Sequence, residues 1–284
     1  MTAAAVLPRV DTPRGVSVIR LLGAELRWVL RRPRTLVMLG VFALVPVLIS
    51  IGVAVADSDG SNHGLIGAVA GNGLMLPVVA ITVSLALLLP LAVAMAAADA
   101  IAGEAAQGTL RGLLLAPVGR LRLVGMKAFG VLVVAVLAVL ALAVVGVVAG
   151  MVIVGRPEGQ LVTLSGTTLG MGDALGRVTL VVAWTIGQLA AVGAVALAVS
   201  ALTEHPSVVI AAVLGGLIVF GVLSAIPALE WLQPYLLTTG WTASADVLRD
   251  PMPTDGLVTS TLRALCYLAV GAGLTVFRML RRDA

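Results

Sequence analysis

Six stretches of the chain are almost wholly apolar: residues 35–56, 74–98, 128–154, 178–202, 208–226 and 257–277. Each is close to the roughly 20 residues a helix needs to cross the hydrocarbon core of a bilayer. Polar sequence rich in Gly and Pro separates them at 57–73, 99–127, 155–177 and 227–256, and Thr203–Ser207 predicts a tight turn between the fourth and fifth. The pattern predicts an all-α integral membrane protein with six transmembrane helices. There is no repeat at a fixed period and no low-complexity tract.

Before the first span the period changes. Over 17–34, Val18, Ile19, Leu22, Leu26, Val29 and Leu30 share one side of a helix while Arg20, Arg27, Arg31 and Arg34 share the other. At about 100° per residue the apolar set fills an arc of about 120°. This predicts an amphipathic interfacial helix, apolar side down, with Trp28, Arg31 and Arg32 as anchors and residues 1–16 as a flexible tail. Such a helix either fixes orientation only or acts as a lever joining a partner to the first span.

Within the spans, Pro77 and Pro90 are expected to kink the second. Ala183, Gly187 and Ala191, spaced by four, predict a close-packing stripe on the fourth. Polar groups are few: Thr82, Ser84, Thr179, Thr185, Gln188 and Ser224. No span carries Asp, Glu, Lys or His near its centre, which opposes an ion-coupled carrier. Arg263, about two turns into the last span, is expected to snorkel to the interface. Residues 227–256 combine Trp231, Tyr235 and Trp241 with four prolines, predicting short outer-leaflet helices with interfacial aromatics; an outer lid and a simple aromatic belt both fit.

Composition agrees with this pattern. The 284 residues are 60% hydrophobic and 11% charged, with a mean hydropathy of +1.12, where a soluble domain carries roughly 25% charged residues. Cytosolic enzymes, nucleic-acid modules and secreted disulfide scaffolds are excluded. Cys266 alone forms no internal disulfide, and two His make no metal cluster. The pI near 10.2 reflects arginine placement. Fourteen of the 18 basic residues precede the first span, lie in 99–127 or follow the last. By the positive-inside rule both termini are cytoplasmic in a plasma-membrane protein, with 278–284 as a short tail. Lys127 is the sole lysine and sits in no phosphate-binding loop, so the chain has no such route to ATP.

The 99–127 segment carries the most chemistry. Ala100–Leu115 predicts a short amphipathic helix, stopped where Pro117 disfavours helix at Ala116. Leu110, Leu113 and Leu114 form its ridge, and Glu104, Gln107 and Arg111 are polar at helical spacing. Arg120 and Lys127, seven apart, share a face at the foot of the third span. The helix is shaped to dock into something or to lie on the membrane.

The ordered set Gly103-Glu104, Gly108-Thr109-Leu110-Arg111, Leu113-Leu114, Pro117-Val118, Arg120 and Lys127 resembles the cytoplasmic loop of ABC-2-type (ABCG-like) transporter permeases. The resemblance extends over roughly 17–280; Gly119 in the Pro-Val-x-Arg slot and the many alanines are its slight departures. It implies a permease subunit that is not itself an enzyme, paired with a second copy or a paralogue. A separate ABC ATPase subunit, holding ATP and Mg, would drive it through a coupling loop at 99–127. It further implies that Glu104, Gly108, Thr109, Leu110, Arg111, Leu114 and Pro117 contact the ATPase, while Arg120 and Lys127 hold the elbow at lipid headgroups. Second and fifth spans line the cavity in relatives, making Thr82, Ser84 and Phe220 candidate lining residues here. The apolar character of those spans favours export of a hydrophobic or amphiphilic compound (drug, lipid or natural product). A permease for membrane biogenesis or maturation, an ion-coupled carrier and a non-transporting scaffold are the alternatives. No nucleic-acid partner is expected; the bilayer is.

Overall fold

A computed structural model describes residues 33–58, 72–108, 119–155 and 161–281, with Gly23, Leu26, Arg27 and Arg31 as single helical positions. Most of the predicted 17–34 helix, including Trp28 and Arg32, lies outside the described residues. So do Thr109, Leu110, Arg111, Leu114 and Pro117. The described chain runs α1 (Pro33–Ser58), α2 (Leu76–Leu85), α3 (Leu88–Ala98), α4 (Arg120–Ala149), α5 (Met171–Leu202), α6 (Pro206–Ser224) and α7 (Asp255–Arg281). A two-stranded antiparallel hairpin, β1 (Leu161–Val162) with β2 (Thr168–Leu169), joins α4 to α5. Six described helices are long and apolar enough to cross a membrane, the second being α3 continued to Ala106. The protein is an all-α integral membrane protein.

The helices alternate in direction. Arg34, Arg120, Arg278 and Arg281 mark one end of the bundle, here the arginine end, and the hairpin lies at the other. The helices differ sharply in burial. α3 and α5 form the core, with Leu89, Val93, Ala97, Leu189 and Ala196 at 4% exposure or less. By contrast α6 buries only Val209 and Val213. On α1 the buried positions Thr35, Phe42, Pro46, Ser50 and Val53 recur at helical spacing, so one stripe of it is packed. Three hydroxyls within the spans are satisfied locally: Thr82 and Thr179 donate to carbonyls four residues back, Ser50 to one three back. No water competes there, so such back-bonding costs little.

The second span departs from a continuous 74–98 helix. It is broken at Ala86–Leu87, where Leu87 leaves helical geometry (φ −148°, ψ −49°). Pro90 explains the break, because its ring collides with the carbonyl four residues earlier and it has no N–H to bond it. Pro77 does not kink the span; it occupies the first turn of α2, where a missing N–H is harmless. Beyond α3 the backbone widens into a π-turn over Asp99–Gly103 before one last helical turn, Glu104–Ala106. That turn ends at Gly108, whose φ of +71° only glycine adopts freely. The continuous helix expected over Ala100–Leu115 is therefore interrupted at Gln107–Gly108.

Backbone contacts without side chains fix the packing. A Cβ on Gly146 would sit 2.8 Å from Pro77 Cα, and Gly73 and Gly150 meet backbone to backbone. On the other side a Cβ on Gly271 would lie 2.6 Å from the Ala194 carbonyl carbon and 2.7 Å from the Val195 nitrogen. Of the expected stripe of Ala183, Gly187 and Ala191, only Ala191 is buried. Ala183 and Gly187 are exposed, and nothing approaches a Gly187 Cβ within 4 Å. The face that packs lies beside that stripe and carries Trp184, Gln188, Ala191 and Val195.

Gly271→Ala should therefore destabilise the protein by roughly 1–3 kcal/mol through overpacking. Gly187→Ala should leave the melting midpoint unchanged or slightly higher, since alanine is the better helix former. Thermal unfolding of the two variants in one detergent measures this; equal midpoints would refute the α5–α7 contact.

Candidate functional site

At the arginine end the segment that follows α3 is tied to three other helices. Asp99 at the start of the π-turn accepts from Arg34 Nη1 on α1, at 3.1 and 3.3 Å. The widened turn leaves the Ala102 amide free of the helical ladder, and it donates to Ser200 Oγ on α5 at 3.0 Å in a fully buried contact. One turn on, Glu104 Oε1 accepts from Lys127 Nζ on α4 at 2.5 Å, the two side chains 16% and 7% exposed. Gly108 closes the segment by donating its amide to the Ala105 carbonyl. Residues 99–108 are thus a short rigid arm gripped by α1, α4 and α5.

Two expected anchors sit elsewhere. Lys127 does not face lipid headgroups: α4 begins at Arg120, so Lys127 stands about 10 Å up the helix. There it is buried against the arm, where only a carboxylate partner makes an ammonium tolerable. Arg120 turns inward too, with Nη1 donating to the carbonyls of Leu280 and Met279 at 2.6 and 3.3 Å. It satisfies the unpaired carbonyl end of α7 and joins α4 to α7, a favourable place for a cation. Arg31 is exposed.

The three candidate lining residues do not come together. Ser84 is wholly buried inside the subunit. Thr82 is half-buried and its hydroxyl meets Ser244 Oγ at 3.0 Å. Phe220 is half-buried, edge-on to Tyr267 with ring centres 6.3 Å apart. All three are taken up by packing within the chain. The exposed large side chains of the second and fifth spans are Val83, Leu87, Val208, Ile218, Val219, Val222 and Ile226, all aliphatic.

The hairpin end is closed by a covering that the sequence outlined only in part. Two 3-10 helices, Pro227–Tyr235 and Thr238–Leu248, lie between α6 and α7. Trp231 and Tyr235 are exposed, but Trp241 is buried at 7% exposure and forms no outward belt. Arg263 does not snorkel outward. Its Nη1 donates to the Leu236 carbonyl and to Thr239 Oγ1, both at 2.5 Å. Tyr267 adds a bond from its hydroxyl to the Tyr235 carbonyl. Arg177 at the start of α5 bonds the carbonyls of Val247 and Arg249 and pairs with Asp250 at 3.3 Å. Asp250 in turn accepts from Thr167 of the hairpin.

Sequence reading missed Asp99, Ser200, Arg177 and Asp250 as structural partners. Asp99 alone left a signal: a lone carboxylate at the boundary of an apolar span, opposite an arginine-rich flank. Ser200 bonds an amide freed by a π-turn, which no local pattern announces.

No curated protein matches the chain. A family model described as ABC-2 family transporter protein matches residues 19–243, well over half of the 284 residues. The match covers the arm and five of the six spans. Membership implies association with an ABC ATPase subunit and a transmembrane component that is not itself catalytic. The chain belongs to the ABC-2 transporter family, as a membrane permease of an ABC transporter.

Proposed function

We propose that this permease is the transmembrane subunit of an ATP-driven exporter of hydrophobic or amphiphilic compounds, moved by a separate ATPase through the 99–127 loop. The observation that carries the reading is the arm at 99–108, gripped at once by Arg34, Lys127 and Ser200. A push delivered there reaches α1, α4 and α5 without an intermediate flexible element. Thr109, Leu110, Arg111, Leu114 and Pro117 follow directly and supply the docking ridge. Glu104 then acts from inside: it holds the arm to α4, and the ATPase contact falls to the residues beyond Gly108.

The remaining assignments follow from that arrangement. The arginine end faces the cytoplasm of a cell membrane, on the charge asymmetry of the sequence, and ATP with Mg binds on the partner subunit. A second permease, identical or paralogous, covers the exposed aliphatic faces of the second and fifth spans. A pathway walled by Val83, Leu87, Ile218 and Val222 offers hydrogen-bonding solutes nothing, which favours apolar cargo.

Co-purification from the native membrane in mild detergent tests the reading. Wild type should carry a stoichiometric ABC ATPase, and Arg111→Glu, a charge reversal on the docking ridge, should lose it while still folding. Absence of an ATPase from the wild-type complex would overturn the proposal.

The internal pair gives a second test. Glu104→Gln removes the carboxylate that lies 2.5 Å from a buried ammonium and should cost up to roughly 3–5 kcal/mol of stability. In Glu104→Gln/Lys127→Met both charges are gone, so the melting midpoint should return close to wild type. ATP-dependent flux in proteoliposomes should stay low in the double variant, because the arm has lost its tie to α4. Full flux in a stable double variant would show that the tie transmits nothing.

A further inference from the structure

Between α4, α5 and α7 lies a cavity of about 370 Å³ that neither the arm nor the exposed α3–α6 surface touches. Small residues on its walls make the space: Gly125 and Ala128 on α4, Gly193 and Ala194 on α5, Ala272 on α7. Gly125, Ala128 and Ala272 are exposed, so it opens sideways as a groove. Thr275 is its one polar lining side chain, and that hydroxyl donates to the Gly271 carbonyl at 2.8 Å. The walls therefore make no demand for a hydrogen bond, and an occupant with polar groups would lose those it made in water.

Two measures identify the occupant. Along α4 the groove runs from Val124 to Ala135, about 16 Å at 1.5 Å per residue. That is half of the roughly 30 Å hydrocarbon core, the depth of one leaflet. Its lower end stops four residues above Arg120 and three above Arg278. Arg278 and Arg281 are exposed and line a polar pocket with Thr203 and Glu204, two guanidiniums against one carboxylate. A hydrocarbon chain held at that depth carries its headgroup to the level of those cations.

We infer that this groove is a binding site for one acyl chain of an anionic phospholipid in the leaflet at the arginine end, its phosphate set by Arg278 and Arg281. The bound chain fills the gap that glycine and alanine leave between the three spans at this depth. The site depends only on membrane embedding, and stands whether or not the exporter reading does.

The test is native mass spectrometry of delipidated full-length protein given phosphatidylglycerol or phosphatidylcholine of matched chain length. Gly125→Leu fills the groove, and no heavy atom lies within 4 Å of a Cβ there, so the fold has room for it. Excluding even two methylenes should lower phosphatidylglycerol retention roughly tenfold. Gly40→Leu, an equally open position on α1, should retain as much as wild type. Arg278→Gln/Arg281→Gln should keep a lipid but bind the two headgroups equally. Equal retention by wild type and Gly125→Leu overturns the site, and equal retention of both lipids by wild type overturns the anionic assignment. Loss of a dimer in Gly125→Leu with lipid retention unchanged gives the groove to a second copy and also overturns the proposal.

Discussion

A lysine ammonium inside the wall of a membrane bundle persists only against a carboxylate, and Lys127 has Glu104 at 2.5 Å. Much of the arginine end follows from that requirement. To bring Glu104 to α4, the chain leaving α3 must stay close to the bundle for two further turns. The π-turn at Asp99–Gly103 provides that path, and its freed Ala102 amide takes Ser200. Asp99 then faces the foot of α1, where Arg34 meets it. The 99–108 stretch of the 99–127 segment is therefore part of the transmembrane body.

The rest of the bundle obeys the same rule in its apolar form. Lipid tails are as apolar as leucine, so helices in a bilayer associate by close approach and shared polar contacts. Gly73, Gly146 and Gly150 bring α2 against α4, and Gly271 brings α7 against α5. Where side chains do reach across, they do so in pairs. Trp184 Nε1 bonds Ser260 Oγ at 3.1 Å and Gln188 Nε2 the Ser260 carbonyl at 3.3 Å. α6 has neither device, which is why it remains largely uncovered in the single chain.

Spans were legible from the sequence because twenty apolar residues in a row admit few readings. The arm motif was legible because its order of residue types is unusual. Side-chain direction was not legible. A helix start moved from 128 to Arg120 carries Lys127 from the interface into the wall. The spacing of Ala183, Gly187 and Ala191 fits a packing stripe, yet small residues pack only on the face a neighbour chooses, and α7 lies against Val195 and Ala194. Thr82 and Ser84 looked like lining residues because they are polar in an apolar span. In hydrocarbon that polarity is also a reason to turn inward, and Ser84 does so fully. Arg263 departs from the snorkelling expectation because its guanidinium is taken up by the Leu236 carbonyl and Thr239 Oγ1.

Span two is interrupted twice, at Leu87 by Pro90 and at Asp99–Gly103 by the π-turn, and the helix between the two is mostly buried. α3 can thus move as one rod without bending α2, which is held to α4 by Gly146, or unwinding the arm, which is held by Lys127. On the proposed reading a push at the docking ridge enters at the lower interruption and is spent at the upper one. There Val83 and Leu87 stand on the exposed face. A continuous helix would instead carry the same displacement to the hairpin end, into the covering held by Arg263 and Arg177. On that reading the proline at 90 separates the half of span two that leads into the arm from the half that packs on α4 through Gly146.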